Sequence, residues 1–276
     1  MTDSLSFNHL GNYGRLGNQM FQYAAVCAAA KELAMPATVN LSSSQLQHCF
    51  ELGFAADGVL QPAAVYCERD FAYTGDLFTL PKDQGNIDIV GYFQSEKNFS
   101  DHSDFIRQEF DFKDEIRKKA CDVLPEGVLV SLHVRRGDYL NLELSDTHKN
   151  QSQRYYQDAM LEFEGHRPVV FSDDIEWCKK EMTWLVNNHP DPVFMSHDHF
   201  TDLCLMSLCN GHIIANSSFS WWGAWLGGGK TVAPKEWFGP SGPKNWRDVY
   251  CEDWITLWEI IGSCSTDQHT LQNWSL

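Results

Sequence analysis

A short apolar run that ends in a cluster of charged side chains constrains this chain most strongly. Residues 127–131, Gly-Val-Leu-Val-Ser, are rich in β-branched residues and predict a buried strand. His133, Arg135, Arg136 and Asp138 follow at its carboxyl end. Ligands of open α/β sheets lie beyond the carboxyl ends of the strands, and each guanidinium group can hold two phosphate oxygens. The pattern therefore predicts an anion site, with a solvated basic turn as the alternative.

A second segment, residues 14–25, begins with a glycine-containing turn and continues as a run of helix formers. Met20 and Ala24 fall at helical spacing, so the sequence predicts a helix that ends near residue 33. Glycine permits close approach to a ligand, and the N–H groups of a first helical turn favour an anion or a polar oxygen. The Gly-x-x-Gly spacing is neither the dinucleotide-binding fingerprint nor the phosphate-binding loop, which need other spacings.

A third segment, residues 215–226, combines hydroxyl side chains with aromatic residues. It follows a short apolar run, and it therefore predicts a strand that leads into a helix. Ser217 and Ser218 lie at the end of this strand, where we expect them to contact a phosphate, with a simple helix cap as the alternative. Trp222 and Trp225 are expected to be buried anchors of the helix.

The charge balance argues against two classes of partner. The chain has 21 basic and 37 acidic residues, with a formal net charge of −16. Nucleic acids and anionic membrane surfaces attract basic proteins, so neither is an expected partner. An anionic ligand must be held by local positive charge, which gives Arg135 and Arg136 more weight.

The cysteines and the first residues indicate where the protein is located. The nine cysteines include no Cys-x-x-Cys pair and no Cys/His set at zinc spacing. We therefore expect reduced thiols and a cytoplasmic protein. The first residues lack the basic and apolar regions of a signal peptide, and the apolar run 24–30 is too short to span a bilayer. No contact with the membrane interior is expected.

Strand and helix patterns alternate along the chain, which predicts parallel sheets with helices on both faces. Pro125 and Gly127 mark a hinge, so we expect two domains, 1–125 and 126–276. The predicted strands are 38–41, 87–92, 128–134, 169–172 and 212–216. The predicted helices are 105–124, 152–164, 174–186, 202–209, 220–226 and 254–261, and the last is expected to pack back across the cleft between the domains.

Six motifs in order along the chain carry a family resemblance. They are residues 14–24, 91–96, 133–139, 170–174, 202–207 and 215–226. With these motifs the chain resembles the bacterial-type α-1,2-fucosyltransferases of glycosyltransferase family 11. One departure is Arg15, which stands where the family commonly has a glycine. The resemblance implies an α/β fold of the GT-B type, with two Rossmann-like domains whose parallel sheets face a central cleft. Residues 1–125 would form the acceptor side, and 126–276 would bind GDP-fucose.

The resemblance also implies a reaction, the inverting transfer of L-fucose from GDP-β-L-fucose to O2 of a terminal β-galactoside on a glycan. Arg135 would then be the main ligand of the diphosphate, and Arg136 would support the structure or the phosphate. His133 would lie at the nucleotide. The carboxylate of Asp202 would accept from the guanine donor edge, unless it is only a charge at a helix start.

Other residues of the motifs complete the implied site. Asn18 would face the fucose and the acceptor, and Asp173 would contact guanosine. Phe219 would line the phosphate–fucose pocket together with Ser217 and Ser218. Gly17, Gln94 and His148 are the remaining residues that we expect to contact substrate.

The sequence leaves four alternatives for the general base that removes the proton of the acceptor hydroxyl. Asp138 is the carboxylate of the motif, although an aspartate in a turn often bonds only to backbone. Glu143 follows five residues later, and His148 has a near-neutral pKa that suits a base. A loose ionic transition state without a protein base is a fourth alternative.

A metal-dependent reaction and two other functions are the alternatives to this reaction. Asp173 and Asp174 superficially resemble a metal-binding Asp-x-Asp, but the resembled family needs no divalent metal and no other cofactor. A sugar-binding module would not need paired arginines at a strand end. A glycoside hydrolase needs two facing carboxylates, whereas adjacent residues of a strand point apart. The sequence leaves open the oligomeric state and the acceptor beyond its terminal galactose.

Overall fold

The computed structural model describes residues 3–137, 146–189 and 191–257, which form two parallel β-sheets. The first sheet contains β1 (Ser4–Phe7), β2 (Ala37–Val39), β3 (Ala56–Asp57), β4 (Ala64–Cys67) and β5 (Asn86–Val90). Its strand order is β3-β2-β1-β5-β4, and every pair is parallel. The order reverses at β1, so two crossovers run in opposite directions from the centre of the sheet.

The second sheet has the same all-parallel character. It contains β6 (Leu129–Val134), β7 (Arg167–Ser172), β8 (Val193–Met195), β9 (Gly211–Ile213), β10 (Lys230–Pro234) and β11 (Ile255–Leu257). The order is β11-β10-β9-β6-β7-β8. All six residues of β6 are buried, as expected for a central strand with both faces covered. The prediction of an α/β fold with two parallel sheets is confirmed.

Nine α-helices and several short 3₁₀ turns connect the strands of the described part of the chain. The helices are α1 (Leu16–Leu33), α2 (Leu46–Cys49), α3 (Ser103–Glu109), α4 (Asp114–Val123), α5 (Gln153–Met160), α6 (Ile175–Glu181), α7 (Thr183–Asn188), α8 (His199–Ser207) and α9 (Ser218–Gly227). Among the described residues, no helix is both long and apolar enough to cross a lipid bilayer.

The described strands before residue 125 all belong to the first sheet, and those after it belong to the second. The helices, unlike the strands, are not separated into two independent groups, because helices of the two halves pack against each other. Helix α1 of the first half packs against α9 of the second, and α4 packs against α8. The two halves therefore share a helical core between their sheets, and the boundary at residue 125 stays a prediction.

Three predicted helices differ from those in the structure. The predicted helix 105–124 is interrupted between α3 and α4, because Phe110 and Phe112 are both buried against Phe50. Two residues on one face at a spacing of two require extended backbone. The predicted helix 174–186 is likewise divided into α6 and α7. The predicted C-terminal helix is wrong over 255–257, which form the edge strand β11, and residues 258–261 lie outside the described part of the chain.

Helix α1 is buried on nearly every side, because it lies between the first sheet and α9. The ring of Phe21 lies 4.5 Å from the ring of Trp221 and 4.9 Å from that of Trp222, measured between centroids. The indole N–H of Trp222 donates to the backbone oxygen of Gly17 at 3.0 Å. A Cβ atom on Gly17 would lie 2.6 Å from the backbone nitrogen of Phe219, so only glycine fits at this helix–helix contact.

Replacing Gly17 with alanine should separate these helices. We expect Gly17→Ala to lower the free energy of unfolding by about 1–3 kcal/mol, the usual cost of overpacking. Gly53→Ala is the matched control, because its added Cβ would meet only the Glu109 carboxylate at 3.9 Å. This control should change stability by less than ~0.5 kcal/mol, as surface substitutions usually do. Urea denaturation measures both variants, and equal effects would contradict the close contact at Gly17.

Candidate active site

One large cavity, with a volume of about 820 Å³, lies between the two sheets. Residues from both halves line it, and many of them directly follow the carboxyl ends of strands, where ligands of α/β folds bind. Those residues are Tyr92 and Gln94 after β5, Arg135 after β6, Asp173 after β7, His197 after β8, Asn216 and Ser217 after β9, and Trp237 and Phe238 after β10.

Arg135 enters the cavity from the end of β6, and Asp173 holds it there. The Nη1 atom of Arg135 lies 2.9 Å from Oδ2 of Asp173, with the two side chains 17% and 25% exposed. The other carboxylate oxygen, Oδ1 of Asp173, accepts from the backbone N–H of Arg136 at 2.9 Å. Asp173 lines the cavity, as predicted for a guanosine contact, but its carboxylate is engaged by Arg135. The ion pair fixes the direction of a guanidinium group that faces the cavity.

Arg136 is directed away from the cavity and is not one of its lining residues. Its Nε donates to Oδ2 of Asp174 at 3.2 Å, and its guanidinium lies 3.6 Å from the ring centroid of Trp177. Arg135 lines the cavity, whereas Asp174 and Trp177, the partners of Arg136, do not. Arg136 was expected to support either the structure or the phosphate, and these contacts favour the structural alternative, in which it anchors the loop.

His133 is a buried histidine whose Nδ1 has no hydrogen-bond partner among the described residues. Burial and the nearby charge of Arg135 lower the pKa of His133 to about 3, so the imidazole is neutral at physiological pH. Its ring lies 5.7 Å from the ring of Phe219, and both side chains line the cavity. A buried polar atom without a partner costs about 1–3 kcal/mol, and a ligand that bonds to Nδ1 would remove this cost.

Asp202 lies in the first turn of α8, which begins three residues earlier than predicted. The cap of this helix is Asp198, whose carboxylate accepts from the N–H groups of Phe200 and Thr201 at 3.2 and 3.0 Å. Sequence analysis missed this cap. The carboxylate of Asp202 is 13% exposed, lines the cavity and lies 3.3 Å from Nδ1 of His197. Burial raises the pKa of Asp202 and outweighs the opposing effect of His197.

A hydrogen-bond network joins the two halves at the starts of α1 and α9. The Oδ1 atom of Asn18 accepts from Oγ of Ser218 at 2.6 Å and from Nε2 of Gln94 at 2.8 Å. Ser217 is the cap residue of α9, but its side chain makes no capping bond. The first turn of α9 therefore has no side-chain cap on the side of the cavity, and such a turn favours an anion.

The structure brings together most of the predicted site. Of the predicted residues that the structure describes, those that line the cavity are Gly17, Asn18, Gln94, His133, Arg135, His148, Asp173, Asp202, Ser217, Ser218 and Phe219. Asp138 and Glu143 lie outside the described residues. The three candidates for the base thus include one described residue, His148, whose ring lies 5.7 Å from that of Phe238.

Sequence analysis missed one side of the cavity. An aromatic wall consists of Phe71, Tyr92, Trp237 and Phe238, and Phe71 and Phe238 meet across the two halves at 5.1 Å between centroids. Arg15 also lines the cavity, where the resembled family commonly has glycine. Its φ of −94° is ordinary for any residue, so the departure from glycine needs no unusual backbone. The available signal was the position of three of these aromatic residues directly after strand ends.

Comparison with known proteins identifies the family. The family model described as glycosyl transferase family 11 matches residues 73–258. The chain belongs to glycosyltransferase family 11. It is 33% identical to an alpha-1,2-colitosyltransferase of Escherichia coli, over 88% of this chain and 96% of the relative. It is 28% identical to galactoside alpha-(1,2)-fucosyltransferase 2 of Gorilla gorilla gorilla, over 83% of this chain and 72% of the relative. The resemblance found in the motifs is confirmed.

Comparison with solved structures supports the predicted fold. The crystal structure of POFUT1 in complex with GDP is similar to this family 11 glycosyltransferase with a TM-score of 0.56. The similarity covers 84% of this chain and 98% of that chain, at 14% sequence identity. The prediction of a GT-B fold is confirmed.

The pKa of Asp202 predicts how its replacement changes stability with pH. Because burial raises this pKa above its unfolded value, the ionised carboxylate destabilises the folded state at neutral pH. We expect Asp202→Asn to raise the melting temperature at pH 7. The gain should shrink as pH falls through the folded pKa of Asp202 and vanish below its unfolded pKa. Thermal melts of both proteins from pH 3 to 8 measure this, and a variant that is less stable at pH 7 would contradict it.

Proposed function

We propose that this glycosyltransferase transfers L-fucose from GDP-β-L-fucose to O2 of a terminal β-galactoside, with inversion at the anomeric carbon. The observation that carries the proposal is the cavity in which Arg135, Asp202 and the uncapped start of α9 lie together at the carboxyl ends of the strands of the second sheet, opposite residues of the first half. The names of the relatives, an alpha-1,2-colitosyltransferase and a galactoside alpha-(1,2)-fucosyltransferase, support both the linkage and the sugar class.

The donor would bind along the carboxyl ends of the second sheet. The guanine base presents adjacent N–H donors, and the buried carboxylate of Asp202 is an acceptor of matching chemistry. The neutral imidazole of His133 has an atom without a partner among the described residues and would contact the nucleotide. The diphosphate would lie between the guanidinium of Arg135 and the first turn of α9, where two kinds of N–H donor converge.

The chemistry requires stabilisation of two opposite charges. As the bond between fucose C1 and the phosphate oxygen breaks, the electron pair leaves with the GDP, and positive charge develops on the sugar ring. Arg135 would stabilise the leaving phosphate, since a preorganised donor acts where charge develops. The acceptor O2 would attack C1 from the opposite face, which inverts the anomeric configuration.

Asn18 would orient the reacting sugar beside this bond. Two donors, from Ser218 and Gln94, occupy its Oδ1 and thereby fix the amide, so that Nδ2 is the atom available to donate. The proton of the acceptor hydroxyl would pass to Asp138, Glu143 or His148, or be lost to water late in a loose transition state. His148 lines the cavity, which supports it as one of these candidates.

Two further properties belong to the proposal. Asp173 and Asp174 each contact a guanidinium group, which supports transfer without a divalent metal or another cofactor. Within the described part of the chain, no cluster of three histidine, cysteine or carboxylate side chains has the geometry to hold a metal. The eight cysteines of the described residues are all free thiols, and this supports a cytoplasmic location.

Colitose is the second candidate for the transferred sugar, because one relative is a colitosyltransferase. Colitose is fucose without its 3-hydroxyl group. A site built to bond a substrate hydroxyl rejects the analogue that lacks it by about 10⁴–10⁵-fold. A site without such a bond would accept both donors, so direct comparison of GDP-fucose and GDP-colitose separates the two candidates.

The central test is transfer in the presence of a chelator. The purified protein is incubated with GDP-fucose or GDP-colitose and with lactose, with and without EDTA, and the product linkage is determined by mass spectrometry and NMR. We expect an α-1,2-linked fucosyl product at equal rates in both conditions. The proposal is contradicted if the folded protein does not consume GDP-fucose with any galactoside acceptor. Metal independence is contradicted if chelation abolishes activity and Mg²⁺ or Mn²⁺ restores it.

A second test addresses Arg135. Lysine keeps the charge but loses the planar pair of donors that holds two phosphate oxygens. We expect Arg135→Lys and Arg135→Ala each to lower turnover by roughly 10²–10³-fold, as at other preorganised charge sites. Arg154→Lys is the matched control, since Arg154 is an exposed arginine paired with Asp158 on the surface of α5. Circular dichroism confirms folding, and wild-type turnover in Arg135→Lys would show that charge alone suffices.

A further inference from the structure

Two exposed tyrosines stand next to each other at the edge of the cavity. Tyr92 is 41% exposed and lines the cavity, and Tyr13 is 38% exposed. Their ring centroids lie 6.5 Å apart with an interplanar angle of 68°. In the described part of the chain, no other tyrosine, phenylalanine or tryptophan is as exposed as these two. Aromatic surface left in water at the margin of a binding cavity is characteristic of a binding site.

The two tyrosines and a neighbouring histidine extend from the cavity wall to the protein surface. Tyr13 directly precedes Gly14 and Arg15, which line the cavity, but does not line it itself. The ring of His9 lies beyond Tyr13, at 5.9 Å between centroids. Tyr92, Tyr13 and His9 thus form a row of rings, here called the tyrosine platform, that begins at the cavity wall and continues onto the surface.

The backbone beneath Tyr92 is held rigidly in place. The carboxylate of Glu68 accepts from the N–H of Tyr92 at 2.7 Å and from the N–H of Phe93 at 3.0 Å. Gly91 permits this approach, because a Cβ there would lie 2.5 Å from Cβ of Glu68. Phe93 has a φ of 51°, in the left-handed region that is costly for a phenylalanine, and its side chain is buried.

Strained backbone persists where the surrounding structure enforces it, and it concentrates at ligand sites. Here the left-handed residue turns the chain so that Phe93 enters the core while its neighbour Tyr92 remains in solvent. Tyr13 is held too, since its backbone oxygen accepts from Nε2 of Gln22 on α1 at 3.1 Å. Two rigidly mounted rings at an angle form a corner that fits a flat, partly apolar group.

We propose that the tyrosine platform binds the second sugar of the acceptor, the residue to which the terminal galactose is attached. This inference rests on the proposed function. The reacting galactose must lie inside the cavity, so the next sugar of the chain emerges at the cavity edge. The C–H face of a pyranose ring packs on an aromatic ring while its hydroxyls remain hydrated, and tyrosine offers such contact at a small cost in conformational entropy.

The experiment compares a disaccharide acceptor with a monosaccharide acceptor. Values of kcat/KM are measured for lactose and for methyl β-D-galactoside with GDP-fucose, in the wild type, Tyr13→Ala, Tyr92→Ala and Tyr92→Phe. We expect the wild type to prefer lactose. In each alanine variant, kcat/KM for lactose should fall about five- to tenfold more than for the methyl galactoside, mainly through KM, which is the scale of one aromatic contact. Tyr92→Phe retains the ring and should retain the preference.

The outcomes separate the two proposals. Equal losses for both acceptors in Tyr13→Ala, or a wild type that does not distinguish the two acceptors, would overturn the platform while leaving the fucosyl transfer intact. A wild type that fucosylates neither acceptor would contradict the proposed function, and the platform with it. The side chain of Tyr13 is exposed, so its removal should leave the fold intact, and a melting curve verifies this.

Discussion

At Gly17 the first turn of α1 meets the first turn of α9, and no side chain larger than a hydrogen atom fits between them. This contact sets the separation of the two sheets, because each helix belongs to a different half. Trp222 closes it with an indole hydrogen bond to the Gly17 oxygen and with a stacked contact to Phe99 at 5.3 Å. Asn18 and Ser218 lie immediately beside the contact, and their 2.6 Å hydrogen bond exists only at this spacing. The geometry of the cavity therefore depends on the tight packing next to it.

The cavity combines groups that folding alone would not favour. Asp202 is a largely buried carboxylate with a raised pKa, and His133 is a buried imidazole without a partner among the described residues. Each is an energetic cost of the unliganded fold, and buried polar groups of this kind concentrate at functional sites. The aromatic cluster of Phe21, Trp221 and Trp222 supplies burial that offsets such costs. Ligand binding would satisfy the polar groups that the fold leaves incomplete.

The parallel sheets and the strand-end position of the arginines could be predicted from local signals, and the family resemblance supplied further polar residues that line the cavity. A buried strand followed by charged residues places Arg135 and His133 at a strand end, and helix periodicity gives α1. The aromatic wall could not be found in this way, since Phe71 and Phe238 meet only when two distant loops are brought together. The direction in which the Arg136 side chain points could not be predicted either, because it depends on Asp174 and Trp177.

The errors in the predicted helices have a similar origin. The break between α3 and α4 arises from burial against Phe50, a contact between residues far apart in the chain that overrides local helix propensity. The predicted C-terminal helix was wrong because residues 255–257 pair with β10, and the sequence of one segment does not reveal which strand it will pair with.

The turn that Glu68 holds in place reaches two parts of the cavity. Tyr92 faces the cavity edge, and two residues later Gln94 bonds to the amide of Asn18. Any substitution that shifts this backbone displaces both ends at once, so the proposed contact with the outer sugar and the proposed alignment of the reacting sugar would change together. Tyr13 belongs to a separate loop and carries no such link. A substitution at Tyr13 would therefore change the proposed contact with the outer sugar alone and leave the turn unaltered.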